Sequence, residues 1–179
     1  YLAGLTRYDQ THIKGDSIVK VEGDSSRRIS VGGENIDKNT VGLWHLDEGG
    51  GSDDYIKDFT ANAGHGTPTG TTYSNSGKIG GARSFNGTSD FISIPDSDNW
   101  WLDSGSSDNQ WTVSFWVMFN GAPGAGRRGF VGQYQGDSNF WSLYYIDNEF
   151  AIRVRVGGTN VVSSNIGWTP TGSTWYNIA

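Results

Sequence analysis

The chain has 179 residues, of which 18% are charged and 27 are glycine; it has no cysteine and a net charge of −6. That composition excludes disulfides, thiol nucleophiles and zinc–thiolate sites. It also weighs against nucleic acid or an anionic membrane as a partner, and no apolar run reaches transmembrane length. Trp, Tyr and Phe are frequent while the strong helix formers are sparse, which points to an all-β protein rich in turns.

Residues 1–40 contain no Trp and few large apolar side chains. Two short alternating pieces, Ser17–Val21 and Arg28–Val31, read as strands, but the segment is too poor in apolar residues to bury a core alone. It is expected to be an arm or linker. From Val41 the texture changes. Val41–Leu46 and Tyr55–Phe59 are strand-like. Ala82–Phe85, Asn86-Gly87 and Asp90–Pro95 read as a hairpin, because Asn-Gly favours tight turns with positive φ. A polar loop at 96–109 surrounds Trp100 and Trp101.

Gln110–Asn120 is the organising stretch: Trp111, Val113, Phe115, Val117 and Phe119 alternate with Thr112, Ser114, Trp116 and Met118. Its period of two predicts a strand in the middle of a sheet that packs on a second sheet, with the odd-numbered face buried. Trp44, Trp111 and Trp116 are expected in the core. Strands follow at Phe130–Gln135, Phe140–Asp147, Glu149–Val156, Thr159–Ile166 and Trp175–Ala179, with a hairpin turn at Asp147-Asn148. Many short strands with polar turns predict a sandwich or jelly roll.

Three blocks carry a family resemblance. They are LWHLDEGGG at 43–51 with Asp58 and the run at 62–70; GKIGGARSFNGTSDFISIPDS at 77–97; and WTVSFWVMF at 111–119 with WYNIA at 175–179. Together they resemble the laminin-G-like, concanavalin-A-like lectin/glucanase superfamily over residues 41–179. The resemblance implies an antiparallel two-sheet jelly-roll sandwich, with 1–40 as an N-terminal arm. Members of that superfamily continue past the WYNIA-like strand. The resemblance therefore implies that further strands fill the sheets, from the same chain or a neighbour, and the arm is the expected donor through β-augmentation. It also implies a loop-bound structural Ca²⁺, with Asp47, Asp58 and Asp90 as candidate ligands beside Asp53 and Asp54.

The superfamily's glucanases carry Glu-x-Asp-x-(x)-Glu patterns, which supply a carboxylate pair. The four glutamates here, Glu22, Glu34, Glu48 and Glu149, form no such pattern, and His12, His45 and His65 show neither metal spacing nor a nucleophile partner. Catalysis is not expected. Sugars stack on aromatic rings and need amide or carboxylate partners for their hydroxyls. Trp100, Trp101, Gln133, Tyr134, Asn139 and Trp141 are the candidate ligand contacts, although Trp100 and Trp101 read equally as loop anchors. The chain is thus expected to be a non-catalytic recognition or adhesion module for a glycan or protein surface. Its expected place is extracellular, on a cell surface, or on a virion or particle surface. The alternatives are a purely structural decoration or assembly domain, held to neighbouring subunits through residues 1–40, and a domain associated with a glycan hydrolase.

Overall fold

The computed structural model describes residues 36, 39–49, 55–100 and 110–179, together with the backbone of 17–20 and 28–31. The described residues are almost wholly antiparallel β, with no α-helix among them. In the N-terminal arm, β1 (Ser17–Lys20) and β2 (Arg28–Val31) form strands where alternation predicted them, but they pair with each other, Ser17 opposite Val31. Each strand finds its partner a few residues away, at little loop-closure cost, and the pairing uses one edge of each strand.

The described residues among 41–66 form isolated bridges instead of the two full strands expected. Trp44 pairs with Asp58, and Ile56 with Gly66. β3 (Thr67–Thr69) and β4 (Thr72–Ser74) then pair with β6 (Phe91–Ser93) and β5 (Ala82–Ser84) respectively. The predicted β5–β6 hairpin does not form. Asn86 Oδ1 accepts the N–H groups of Thr88, Ser89 and Asp90, while Asp90 Oδ2 accepts that of Asn86. These bonds close residues 86–90 into a loop of their own, set into a longer antiparallel ribbon. Gly70 faces this loop so closely that a Cβ there would lie 2.3 Å from Asp90 Oδ1.

The organising stretch yields β7 (Phe115–Met118), which is shorter than expected and is paired, among the described residues, with β12 (Trp175–Ile178). It is therefore not central in a wide sheet. Its alternation holds, with Val113, Phe115 and Val117 half-buried between exposed Ser114 and Trp116. The large sheet is a meander of β8 (Arg128–Tyr134), β9 (Phe140–Ile146), β10 (Glu149–Val156) and β11 (Thr159–Gly167), with spatial order β11-β10-β9-β8. Two-residue turns join β9 to β10 and β10 to β11. Asp147 and Asn148 both have positive φ, as do Gly157 and Gly158, which is the geometry that matches the twist of the flanking strands.

The core lies where β7 meets this meander. Trp141, Leu143 and Val154 are buried, and Val113, Phe115, Val131, Phe150 and Ile152 pack against them. A second aromatic group closes one end: Trp168 sits edge-on to Phe119 at 5.7 Å and to Tyr176 at 5.2 Å. Two of the tryptophans expected in the core are not there. Trp111 is 37% exposed and Trp116 43% exposed. Trp116 belongs to the outward face of β7, and the Lys78 ammonium lies 5.0 Å from its ring centre. Trp44 is half-buried against Trp100, with ring centres 5.4 Å apart.

Candidate functional site

Five of the six candidate ligand residues come together at one end of β8 and β9. Gln133 is opposite Trp141 and Tyr134 is opposite Phe140 in the β8–β9 register, and Asn139 sits in the connecting turn. Trp100 reaches the same end from the 3-10 turn Asp98–Trp100. Trp101 lies outside the described residues, as do Asp103, Asp108 and Asn109 of the same loop and Asp53 and Asp54.

Their side chains, however, face inward or bond to the protein. Trp141 is 6% exposed, and its Nε1–H donates to the Trp100 carbonyl at 2.7 Å. Its even-odd position on β9 aims it into the core, so it offers no face to a sugar, and its assignment as a ligand contact is corrected. Trp100 anchors the loop: its ring packs on Trp44 and its Nε1–H donates to the Pro95 carbonyl at 3.2 Å. Asn139 Oδ1 accepts the Gly157 N–H at 2.9 Å, tying the β8–β9 turn to the β10–β11 turn. Gln133 Nε2 donates to Asp96 Oδ1 at 2.7 Å, while its buried Oε1 has no partner among the described residues.

Tyr134 is different. It is 67% exposed, its ring centre lies 6.1 Å from that of Phe140, and its hydroxyl donates to Asp137 Oδ1. The Asp137 carboxylate holds the phenol above its ordinary pKa of 10.0, so the hydroxyl remains a donor throughout the neutral range.

The three candidate metal ligands do not converge, and among the described residues no three carboxylate or imidazole groups could hold a metal together. Asp58 is 2% exposed and surrounded by donors. Its Oδ1 accepts the N–H groups of Leu43 and Thr60 at 3.0 and 2.9 Å; its Oδ2 accepts the Thr60 hydroxyl and the Gly64 N–H, both at 2.9 Å. Its lone pairs are used by the chain itself, so Asp58 organises the 41–66 segment and its role as a calcium ligand is corrected. Asp90 closes the 86–90 loop, and Asp47 stands exposed near Gly80.

A shallow hollow of about 280 Å³ lies over the outer side of β8 and β9, lined by Ile92, Arg127, Gly129, Gly132, Ser142 and Tyr144 among others. None of the predicted site residues lines it. Arg127 is one of its walls, its guanidinium 3.8 Å from the Tyr144 ring centre and bonded to Ser142 Oγ at 3.0 Å. The more conspicuous open feature is β11, every residue of which is exposed at the edge of the large sheet. Sequence reasoning passed over it because TNVVSSNIG holds no chemical group; its lack of any charge was the available signal.

The fold is similar to that of an S-layer domain-containing protein from Clostridium thermocellum (residues 221–444), with a TM-score of 0.53 at 19% identity. The match covers 75% of this chain and 60% of that one, so this chain spans under two thirds of its structural neighbour. No family model and no curated protein matches the sequence.

Proposed function

We propose that this chain is a non-catalytic β-sandwich module of an external cell or particle surface, working in assembly or adhesion. The observation that carries this reading is where the functional-looking residues go. Trp141, Trp100, Asn139 and Asp58 spend their rings and polar atoms on internal contacts. What the sheet offers outward is a long uncharged edge. Each of the two glutamates among the described residues has one oxygen bonded within the chain: Glu48 Oε1 accepts the Lys57 N–H at 2.7 Å while its buried Oε2 has no partner among the described residues, and Glu149 Oε2 accepts an Asn165 amide hydrogen at 2.7 Å. The likeness to an S-layer domain-containing protein supports a surface location.

Antibody raised against residues 110–179 and applied to intact source cells or particles tests the reading. Labelling of the outer face supports it, and signal appearing only after permeabilisation overturns it. Release of sugar from a polysaccharide panel, abolished by Glu48→Gln, would overturn the non-catalytic part.

A second reading, glycan recognition, is favoured by one observation: the exposed Tyr134 ring beside Phe140, with Asp137 at its hydroxyl. This is a single stacking face, narrower than the six-residue site expected from sequence. A glycan-array signal lost in Tyr134→Ala and kept in Tyr134→Phe would support it.

A further inference from the structure

The edge strand β11 carries an arrangement that fits one partner in particular. It pairs with β10 on one side and has no neighbour among the described residues on the other. Edge strands ordinarily carry lysine, proline or inward-pointing charge that blocks further pairing. Thr159–Gly167 carries none of these, in a chain whose net charge is −6. One extra residue, Val161, bulges at the register shift opposite Val154/Arg155, and the strand then runs regularly to Gly167.

Its faces are set by that register. Val162, Ser164 and Ile166 lie opposite Val154, Ile152 and Phe150, so they extend the apolar inner face of the meander beyond its covered part. Val162 is 39% exposed and Ile166 65% exposed.

We propose that β11 is the contact through which two copies of this chain join, antiparallel across a two-fold axis at Ser164. The register is chosen by the sequence. Pairing that keeps inner faces together allows only shifts of two residues. Centring on Ser164 sets Val162 opposite Ile166 of the second copy, Ser163 opposite Asn165, and Val161 opposite Gly167. Centring on Ser163 or Asn165 sets Val162 or Ile166 against Ser164 and separates the two apolar side chains. The Ser164 register buries both exposed apolar residues of the inner face, Val162 and Ile166, twice, brings no charge to the strand pair, and joins two four-stranded meanders into one continuous sheet. The contact is self-complementary, as a two-fold interface requires. Seven residues of edge pairing make a small interface, so association is weak in dilute solution and strong where copies are held close together. This inference rests on the surface-module reading, and the experiments below read association alone, so the two can fail separately.

The test is sedimentation velocity of the chain up to about 1 mM. Reversible dimerisation is expected, weakened about tenfold or more by Val162→Lys and by Ile166→Glu taken singly. Mixing those two variants is expected to restore a heterodimer, because the register places the new lysine opposite the new glutamate. The chain has no native cysteine, so Ser164→Cys gives one thiol that faces itself across the axis. Mild oxidation should yield a covalent dimer with Ser164→Cys and much less with Asn160→Cys. A monomer throughout the concentration range overturns the proposal. So does a dimer indifferent to both charge variants, which would use another surface. Hydrogen-exchange protection that survives dilution at the β11 amides pointing away from β10 would assign the edge to another segment of the same chain, and would also overturn it.

Discussion

Asp58 keeps its charge in a place where burial alone would remove it. Desolvation pushes its carboxyl up, but the donors from Thr60, Leu43 and Gly64 together outweigh that cost and leave the pKa below the ordinary 3.8. Because the folded value is depressed, this contribution to stability is fully present above the unfolded pKa and is lost as pH falls through the folded value. Asp58→Asn is expected to cost about 2–4 kcal/mol at neutral pH, since an amide nitrogen then faces N–H donors. The gap between wild type and variant in denaturant unfolding should shrink as pH drops below about 4. Asp58 stood among the metal ligands because the family resemblance implied a loop-bound calcium beside the matched blocks; its donors are three backbone N–H groups and the Thr60 hydroxyl, a convergence no residue pattern displays. Trp141 misled for a related reason. Tryptophan near Asn and Gln reads as a sugar platform until the strand register shows which way the ring points.

At the scale of elements, turns with a strict backbone demand were the most legible. Asp147-Asn148 was expected as a two-residue hairpin turn and is one, with φ of 46° and 67°. Asn148 also accepts the Tyr145 hydroxyl on its Oδ1 at 2.9 Å. Asn148→Ala should therefore lose about 1–2 kcal/mol from left-handed strain and the broken bond, while Asn148→Gly loses less. Thermal unfolding of the pair checks the order. Asn86-Gly87 satisfied the same rule and failed, because the Asn86 and Asp90 side chains captured the N–H groups a hairpin ladder would have used. In β7 the period of two gave the faces correctly and the neighbours wrongly, since alternation says nothing about how many strands lie alongside. Phe115 packs on Phe130 at a ring separation of 5.3 Å but is only half-buried. Phe115→Ala is accordingly expected to cost about 2 kcal/mol, below the 3–5 of a fully buried ring. A loss under about 1 kcal/mol would mean that this face is not core.

For the whole molecule, composition and strand spacing sufficed for an all-β sandwich, and the structure has that character throughout the described residues. The partners of each strand were not legible, because pairing is a property of two distant segments and a single sequence displays them separately. The aromatic lock at Trp168 was missed on the same ground: Phe119, the Tyr145–Phe150 pair and Tyr176 come from three separate stretches of the chain and meet around it. Trp168→Ala should loosen that end and cost about 3 kcal/mol. Near-ultraviolet dichroism should show the loss of fixed aromatic packing while the far-ultraviolet β signal persists.

The pairing of β7 with β12 has a kinetic consequence. The entire β8–β11 meander lies between those two strands in the chain. Its hairpins close over turns of two to five residues, so they can form early at small entropic cost. Once formed, they shorten the effective tether between Met118 and Trp175, and the β7–β12 ladder can zip up last. The rate-limiting barrier should then be felt at the turns and not at the final ladder. Asn148→Ala should slow refolding by most of its equilibrium effect, whereas Tyr176→Ala should leave refolding nearly unchanged and speed unfolding. Stopped-flow chevrons for the two variants with the reverse pattern would put closure of the long loop first.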